Sequence, residues 1–341
     1  MKRLFVLSLA LCLLLSGCAE ISPQKDKQYT ATFLTLFDTV TTIVGRAESE
    51  EAFQEKAQKI HDELLIYHKL FDIYNDYKGI NNLKTVNDNA GLAPVKVDGK
   101  IIDLLSDCKR YYEMSGGRVN VAMGSVLKLW HEARNAGIDD PANAKLPAME
   151  QLQAAKEHTS IDVLTIDKTA STVYLADSQM RLDVGAVAKG WASQKVAENA
   201  PSGMLISVGG NVCATGPKLS DGTPWVIGIQ DPKEPQKNLH TLFVDGGSVV
   251  TSGDYQRTYA VDGKRYHHII DPDSLMPAEK WRSVTVLCGD SGLADALSTA
   301  LFLMDREEGQ ALAEAMDADV FWVNLDGEEF MTSGLSEILR N

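Results

Sequence analysis

Cysteine is scarce and scattered: five residues in 341, with no CxxC pair. That spacing excludes a disulfide scaffold and a cysteine-built zinc site; for Cys108, Cys213 and Cys288 it leaves open either three buried thiols or a single disulfide. No Walker A sequence and no GxGxxG run occurs, so neither a P-loop nor a dinucleotide fingerprint supplies a phosphate cradle. HExxH is missing, and no further His or Cys stands at ligand spacing from the pair His267-His268. Positive charge is in deficit: 33 Lys and Arg against 47 Asp and Glu leave a formal charge of −14. Such a surface repels polyanions, which excludes nucleic acid as a partner, and an anionic ligand would need a local cation or a metal. Tandem repeats and low-complexity tracts are also absent.

The N-terminus does gather apolar residues. Lys2 and Arg3 precede Leu4 to Leu15, a run with the charge and length of a secretory signal and too short to serve as a permanent membrane-spanning helix. It ends in Leu15-Ser16-Gly17-Cys18, which resembles the bacterial lipobox, where small residues admit the signal peptidase and the cysteine becomes the diacylated N-terminus. Residues 1–17 are expected to be removed, Cys18 to carry lipid, residues 18–30 to form a polar tether and residues 31–341 to form one globular domain. That places the protein on the extracytoplasmic face of the bacterial cell membrane, the periplasmic side in a Gram-negative cell. Losing Lys2 and Arg3 takes the formal charge from −14 to −16.

Further along, β-branched Phe33 to Val44 predicts a strand, and the spacing of Phe53, Ala57, Ile60, Leu64 and Tyr67 predicts a helix over Ala47 to Tyr67. Gly79 to Leu92 reads as a loop and Lys100 to Met114 as a helix. Strands are expected around a turn at Asp167-Lys168, then at Leu205–Val208, Trp225–Ile229, Ser248–Thr251 and Ser283–Leu287. This order argues for an α/β class with mixed sheets flanked by helices.

Four motifs carry chemistry. In Arg181-Leu182-Asp183-Val184-Gly185-Ala186-Val187-Ala188-Lys189-Gly190, Asp183 is placed to cap amides at a helix start and Lys189 to reach phosphate beside a positive helix end. A plain N-cap explains Asp183 equally well, but it leaves Lys189 and Gly190 unexplained. In Gly292 to Met304, Asp295, Ser298 and Thr299 share a stripe at i, i+3 and i+4 of an otherwise apolar helix. One carboxylate and two hydroxyls are hard ligands that suit Mg²⁺ leaning on substrate phosphates; a polar stripe facing a loop is the alternative. His267-His268-Ile269-Ile270-Asp271-Pro272, following Thr251-Ser252-Gly253-Asp254-Tyr255, offers a near-neutral base or a structural histidine. Ser207-Val208-Gly209-Gly210-Asn211 brings backbone close to a ligand, or simply makes a tight turn.

Together and in this order the four motifs resemble the ApbE family of FAD:protein FMN transferases. The resemblance runs from about Thr32 to the C-terminus. It implies an ApbE-like mixed α/β fold with two fused related subdomains, and an enzyme that moves FMN from FAD to a Thr or Ser hydroxyl of a partner protein, releasing AMP. Magnesium is implied at the Ala186 carbonyl, Asp295, Ser298 and Thr299. FAD is implied at Phe37, Tyr74, Trp130, His131, Glu132, Asp183, Lys189 and Ile270. Catalysis is assigned to Asp295 and, as the base, to His268. The family's acceptors are extracytoplasmic flavoprotein subunits or domains with a D-x-x-[ST]-G-A-T-like sequence. The chain itself lacks that sequence, so modification in trans is expected. Two departures stand out: Val119-Asn120-Val121-Ala122 replaces a common F-D-x-T, and Ser298 stands where some members have an acid. A magnesium-dependent FAD pyrophosphatase and a non-catalytic flavin-binding lipoprotein remain the alternative readings.

Overall fold

A computed structural model describes residues 27–340; the lipobox and Cys18 lie outside these residues. Its centre is an eight-stranded sheet whose strands follow chain order: β1 (Lys27–Leu36), β2 (Thr39–Ala47), β3 (Leu205–Val208), β4 (Asn211–Ala214), β5 (Gly247–Gly253), β6 (Trp281–Cys288), β7 (Asp319–Asn324) and β8 (Glu329–Met331). Each neighbouring pair is antiparallel. The mixed α/β class holds, but the expected mixture of strand directions reduces to one parallel bridge, Met123 to Arg181, among the described residues. Since β1 starts at Lys27 and pairs Lys27 with Ala47 and Thr30 with Val44, Lys27 to Thr30 belong to the sheet and not to a tether.

Of the helices α1 (Glu50–Phe71), α2 (Gly99–Met114), α3 (Gly124–Asp139), α4 (Ala188–Asn199) and α5 (Ser291–Leu303), all but α3 carry the main core with the sheet. The period-2 rule is visible in β7: Val320 and Trp322 enter that core, while Phe321 and Val323 enter a second core under a small sheet of Trp225–Gln230, Asn238–Val244 and Leu339–Arg340. With both faces covered, the strand reads as a continuous apolar run. A third, smaller core joins α3 to Leu152, Tyr259, Ile270 and Leu275. No helix among the described residues is long and apolar enough to cross a membrane.

Three local differences have physical reasons. Phe33 to Val44 is a hairpin, because Phe37 and Asp38 both take left-handed backbone (φ 52° and 53°) and make a two-residue turn that no Asn-Gly announces. Within Gly79 to Leu92 a short helix, Leu83–Asp88, is nucleated by a capping box between Asn82 and Thr85. No strand runs into Asp183: helix α4 starts at Ala188, with Val187 at its N-cap and no side-chain cap.

Cys108, Cys213 and Cys288 are buried free thiols. Cys213 and Cys288 stand on either side of Ser248 in register, two strand spacings apart. That is about 10 Å, beyond disulfide reach.

Helices α4 and α5 pack closely because Gly190 has no side chain: a Cβ there would collide with the Ser291 carbonyl oxygen and with Asp295 Cβ. Gly190→Ala is therefore expected to destabilise the fold by about 1–3 kcal/mol through overpacking, where in an open helix the same change would stabilise by about 1 kcal/mol. Urea unfolding of the two proteins, followed by far-UV circular dichroism, checks this; equal midpoints would refute the close-packing account.

Candidate active site

The start of α4 is the organising feature. Its Gly190 amide, one of the donors a helix leaves free at its N-terminus, donates to Asp295 Oδ2 at 2.8 Å. Asp295 is only 4% exposed and sits on α5, so one carboxylate caps α4 from the neighbouring helix. Its Oδ1 has no partner among the described residues and borders a cleft enclosing about 1570 Å³ of space, counted out to the solvent at its mouth. Ala186, Lys189 and Thr299 border the same cleft. Lys189 makes no ion pair among the described residues, which leaves its ammonium free beside the positive end of α4.

The loop before α4 is held from both sides. Asp183 N–H donates to the Val121 carbonyl at 2.8 Å, and its Oδ1 accepts from Gly185 N–H at 2.9 Å. Leu182 is clamped by buried Asn87, which accepts from its N–H at 2.7 Å and donates to its carbonyl at 3.0 Å. The departing stretch Val119 to Ala122 supports Asp183 through the Val121 carbonyl, a backbone group that does not depend on side-chain identity.

Of the residues implied by the resemblance, Phe37, Tyr74, His131, Asp183, Lys189, Ile270, His268, Ala186, Asp295 and Thr299 all line the one cleft. Three do not. Trp130 is 3% exposed in the third core, with its indole N–H bonded to the Leu275 carbonyl at 3.0 Å. Glu132 is exposed and pairs with Lys128 at 3.6 Å. The cause is helical spacing: Met123, Leu127 and His131 recur every four residues on the cleft side of α3, and neighbours of His131 are turned about 100° away. Ser298 is fully buried, with its hydroxyl bonded to the Asp295 carbonyl and to Ser252 Oγ, both at 2.9 Å. It braces the site from behind instead of facing the cleft.

Of the ligands implied for magnesium, Asp295, Thr299 and Ala186 remain at the cleft wall and offer a carboxylate, a hydroxyl and a carbonyl oxygen. They fit a magnesium ion that keeps water and takes its remaining ligands from substrate phosphate. No group of three or more His, Cys, Asp or Glu that could hold a metal ion occurs among the described residues.

The two histidines divide cleanly. His267 Nδ1 accepts from the Ile269 N–H at 3.2 Å, so its proton sits on Nε2, which donates to the Ala278 carbonyl at 2.8 Å. Both nitrogens are committed to structure. His268 faces the cleft, and its Nδ1 is buried without a partner. Burial, then Arg257 and Lys189, push its pKa down to about 3. The ring is neutral at pH 7.

One cleft residue escaped notice in the sequence: Arg257 lines the cleft with left-handed backbone (φ 46°), a conformation that costs a non-glycine residue energy and concentrates at functional sites. Asn211 closes the tight turn at Gly209-Gly210; it is 3% exposed, and its Nδ2 lacks a partner at the cleft. A buried donor with nothing to bond is what a ligand acceptor would satisfy. Tyr74 Oη meets His131 Nδ1 at 2.7 Å across the opening.

Fold and site together define an α/β protein with a cleft for a phosphorylated, aromatic ligand: free cations and a capped helix end at one wall, Phe37 and Tyr74 at another. The chain belongs to the ApbE family, whose sequence profile matches residues 29–322. It is 35% identical over 273 residues to the FAD:protein FMN transferase of Treponema pallidum, covering 76% of this chain and 75% of that one. A Klebsiella pneumoniae FAD:protein FMN transferase is 32% identical over 286 residues, covering 80% and 86%. Among solved structures, the ApbE protein of Thermotoga maritima superposes with a TM-score of 0.82 at 27% identity, covering 92% of this chain and all of that one.

The low pKa of His268 has a consequence for stability. A group whose folded pKa lies below its ordinary 6.5 stabilises the fold fully above pH 6.5, and this contribution is lost as pH falls toward about 3, because only the unfolded chain binds the proton. His268→Gln, which cannot be protonated, is expected to lose less stability than the parent between pH 7 and pH 4. Urea unfolding across that range reads the difference; parallel curves would show that the ring titrates normally in the folded protein.

Proposed function

We propose that this chain is a magnesium-dependent FAD:protein FMN transferase that moves FMN from FAD to a threonine or serine hydroxyl of an extracytoplasmic acceptor protein, releasing AMP. The observation that carries the reading is the meeting of free Lys189, the α4 N-terminus, Asp295 and neutral His268 at one cleft.

The FAD pyrophosphate brings about two negative charges to a protein of formal charge −14. Lys189 offers a charge-assisted bond, Arg257 a second cation at the cleft wall, and Asn211 Nδ2 a neutral donor. Magnesium, when bound at Asp295, Thr299 and the Ala186 carbonyl, would supply Lewis-acid polarisation of phosphate oxygen. Phe37 and Tyr74 present rings to the planar flavin. In the transfer, the acceptor hydroxyl oxygen bonds to the FMN phosphorus and the bond from that phosphorus to the bridging oxygen breaks. The bridging oxygen leaves with AMP, and the hydroxyl proton passes to His268.

A base with a pKa near 3 is weak, yet two of the groups that lower it, Arg257 and Lys189, are the cations a bound pyrophosphate would neutralise. Substrate binding thereby raises the proton affinity of the ring at the moment it is needed.

Purified enzyme incubated with FAD, Mg²⁺ and an acceptor domain, with products weighed by mass spectrometry, tests the reading. A protein adduct of FMN mass together with AMP supports transfer, free FMN with AMP turns it into a pyrophosphatase, and unchanged FAD turns it into a binding protein. Asp295→Ala should reduce transfer by at least about 10²-fold, the scale of losing a preorganised electrostatic group, while the protein still folds with the loss of about 1 kcal/mol that removing a helix cap costs. Unchanged transfer in saturating Mg²⁺ would remove Asp295 from the site.

Attachment to the membrane through lipidated Cys18 belongs to the same proposal and is supported by the lipobox pattern alone. Cys18→Ser is expected to abolish acyl labelling and release the protein from the membrane fraction, because stable anchoring takes two acyl chains and the diacylated cysteine supplies both. Retention of the label would overturn it.

A further inference from the structure

The β1–β2 turn puts Phe37 into the cleft with two successive residues in left-handed backbone, neither of them glycine. Such a turn persists only where its surroundings over-determine it. A chain of hydrogen bonds supplies the restraint. Phe37 N–H donates to His68 Nδ1 at 3.2 Å. A backbone amide can only donate, so Nδ1 carries no proton and the neutral ring holds it on Nε2. Nε2 lies 3.4 Å from Tyr77 Oη, and Tyr77 Oη donates to Asp72 Oδ2 at 2.8 Å. Every donor then meets an acceptor in a single direction. Asp72 also accepts from the backbone of Tyr74 at 2.6 Å, the backbone of Asn75 at 3.0 Å and the Asn75 amide at 2.9 Å.

We propose that His68, Tyr77 and Asp72 form a positioning relay that fixes the Phe37 turn and the Tyr74 loop as one rigid wall of the cleft. None of the three need touch reacting atoms. Their effect passes through Phe37 and Tyr74, the two rings at the opening. Phe37 packs edge-on against His68 at 5.6 Å between centroids, so the relay sets the ring as well as the amide. The electrostatics agree: burial tends to raise the Asp72 pKa, but the bonds from Asn75, Tyr74 and Tyr77 outweigh it and keep the group an anion, while burial and then Asp72 push Tyr77 up to about 12, so it remains a donor. The inference deepens the reading of this cleft as a FAD site and rests on it for its functional arm only.

Two measurements on the mature chain test it. In Tyr77→Phe, which keeps the ring and removes the hydroxyl, the Phe37 amide should exchange with deuterium faster, with protection in α1 and the sheet unchanged. FAD affinity by calorimetry should fall about 3- to 10-fold, the scale of one hydrogen bond. His68→Leu should behave alike, and His68→Gln, which restores an acceptor and a donor on one side chain, should recover part of the affinity. Unchanged Phe37 exchange in Tyr77→Phe would overturn the relay, as would a general loss of protection through α1, which marks a merely structural role. Failure of the parent protein to bind FAD would sink the FAD reading and leave the exchange measurement to decide the relay.

Discussion

The site depends on one contact, the Asp295 carboxylate on the Gly190 amide. A helix N-terminus near solvent ordinarily takes its cap from the residue just before it, but Val187 has no group to offer. The cap comes instead from α5, over one hundred residues later in the chain, and it can arrive only because Gly190 lets the two helices close. The same proximity sets Lys189, Ala186 and Thr299 around one opening. Buried carboxylates are costly unless hydrogen-bonded, and one oxygen of Asp295 is satisfied by protein while the other is left for a ligand. Stability and chemistry therefore draw on the same residue.

How much of this was legible in the sequence follows from the range of the interactions involved. The stripe Asp295, Ser298 and Thr299 was readable because helical spacing is local, and Leu205–Val208 because alternation is local. Helical spacing alone could not say which stripe faces a ligand: Asp295 and Thr299 reach the cleft, whereas Ser298 turns to Ser252, a partner on β5. The resemblance took Trp130-His131-Glu132 as a block, but three consecutive helical residues point in three directions, and only His131 meets the cleft. The Phe37-Asp38 turn was hidden because its backbone is held by His68 from another element and not by a residue type that favours the conformation. Asn87 lay in a segment read as loop, yet it clamps Leu182, ninety-five residues away.

Charge explains another feature of the architecture. With Asp and Glu in excess, a cation on the surface readily finds an acid, as Lys84 does with Asp88 and Asp76. Lys189 and Arg257 make no such pair among the described residues, and both border the cleft. Asp295 and Asp183 border the same cleft, and each gives one oxygen to a backbone amide, Gly190 and Gly185.

The histidines show how the same residue type is given opposite duties within a short stretch of chain. His267 has both nitrogens engaged, so its proton has a fixed address and cannot be exchanged without breaking the turn that ends in Ala278. His68 is likewise fixed by an amide at one nitrogen and a phenol at the other. Among the described histidines, His268 alone has a nitrogen that is buried without a partner, in a position where burial and two cations hold it neutral. Burial is the largest influence that depresses proton affinity at that ring, and an anion on Arg257 and Lys189 would remove the next two. On the proposed reading of His268 as the base, a ring that gains proton affinity only when an anion is bound would avoid charging a buried group in the empty cleft, where nothing would offset the cost.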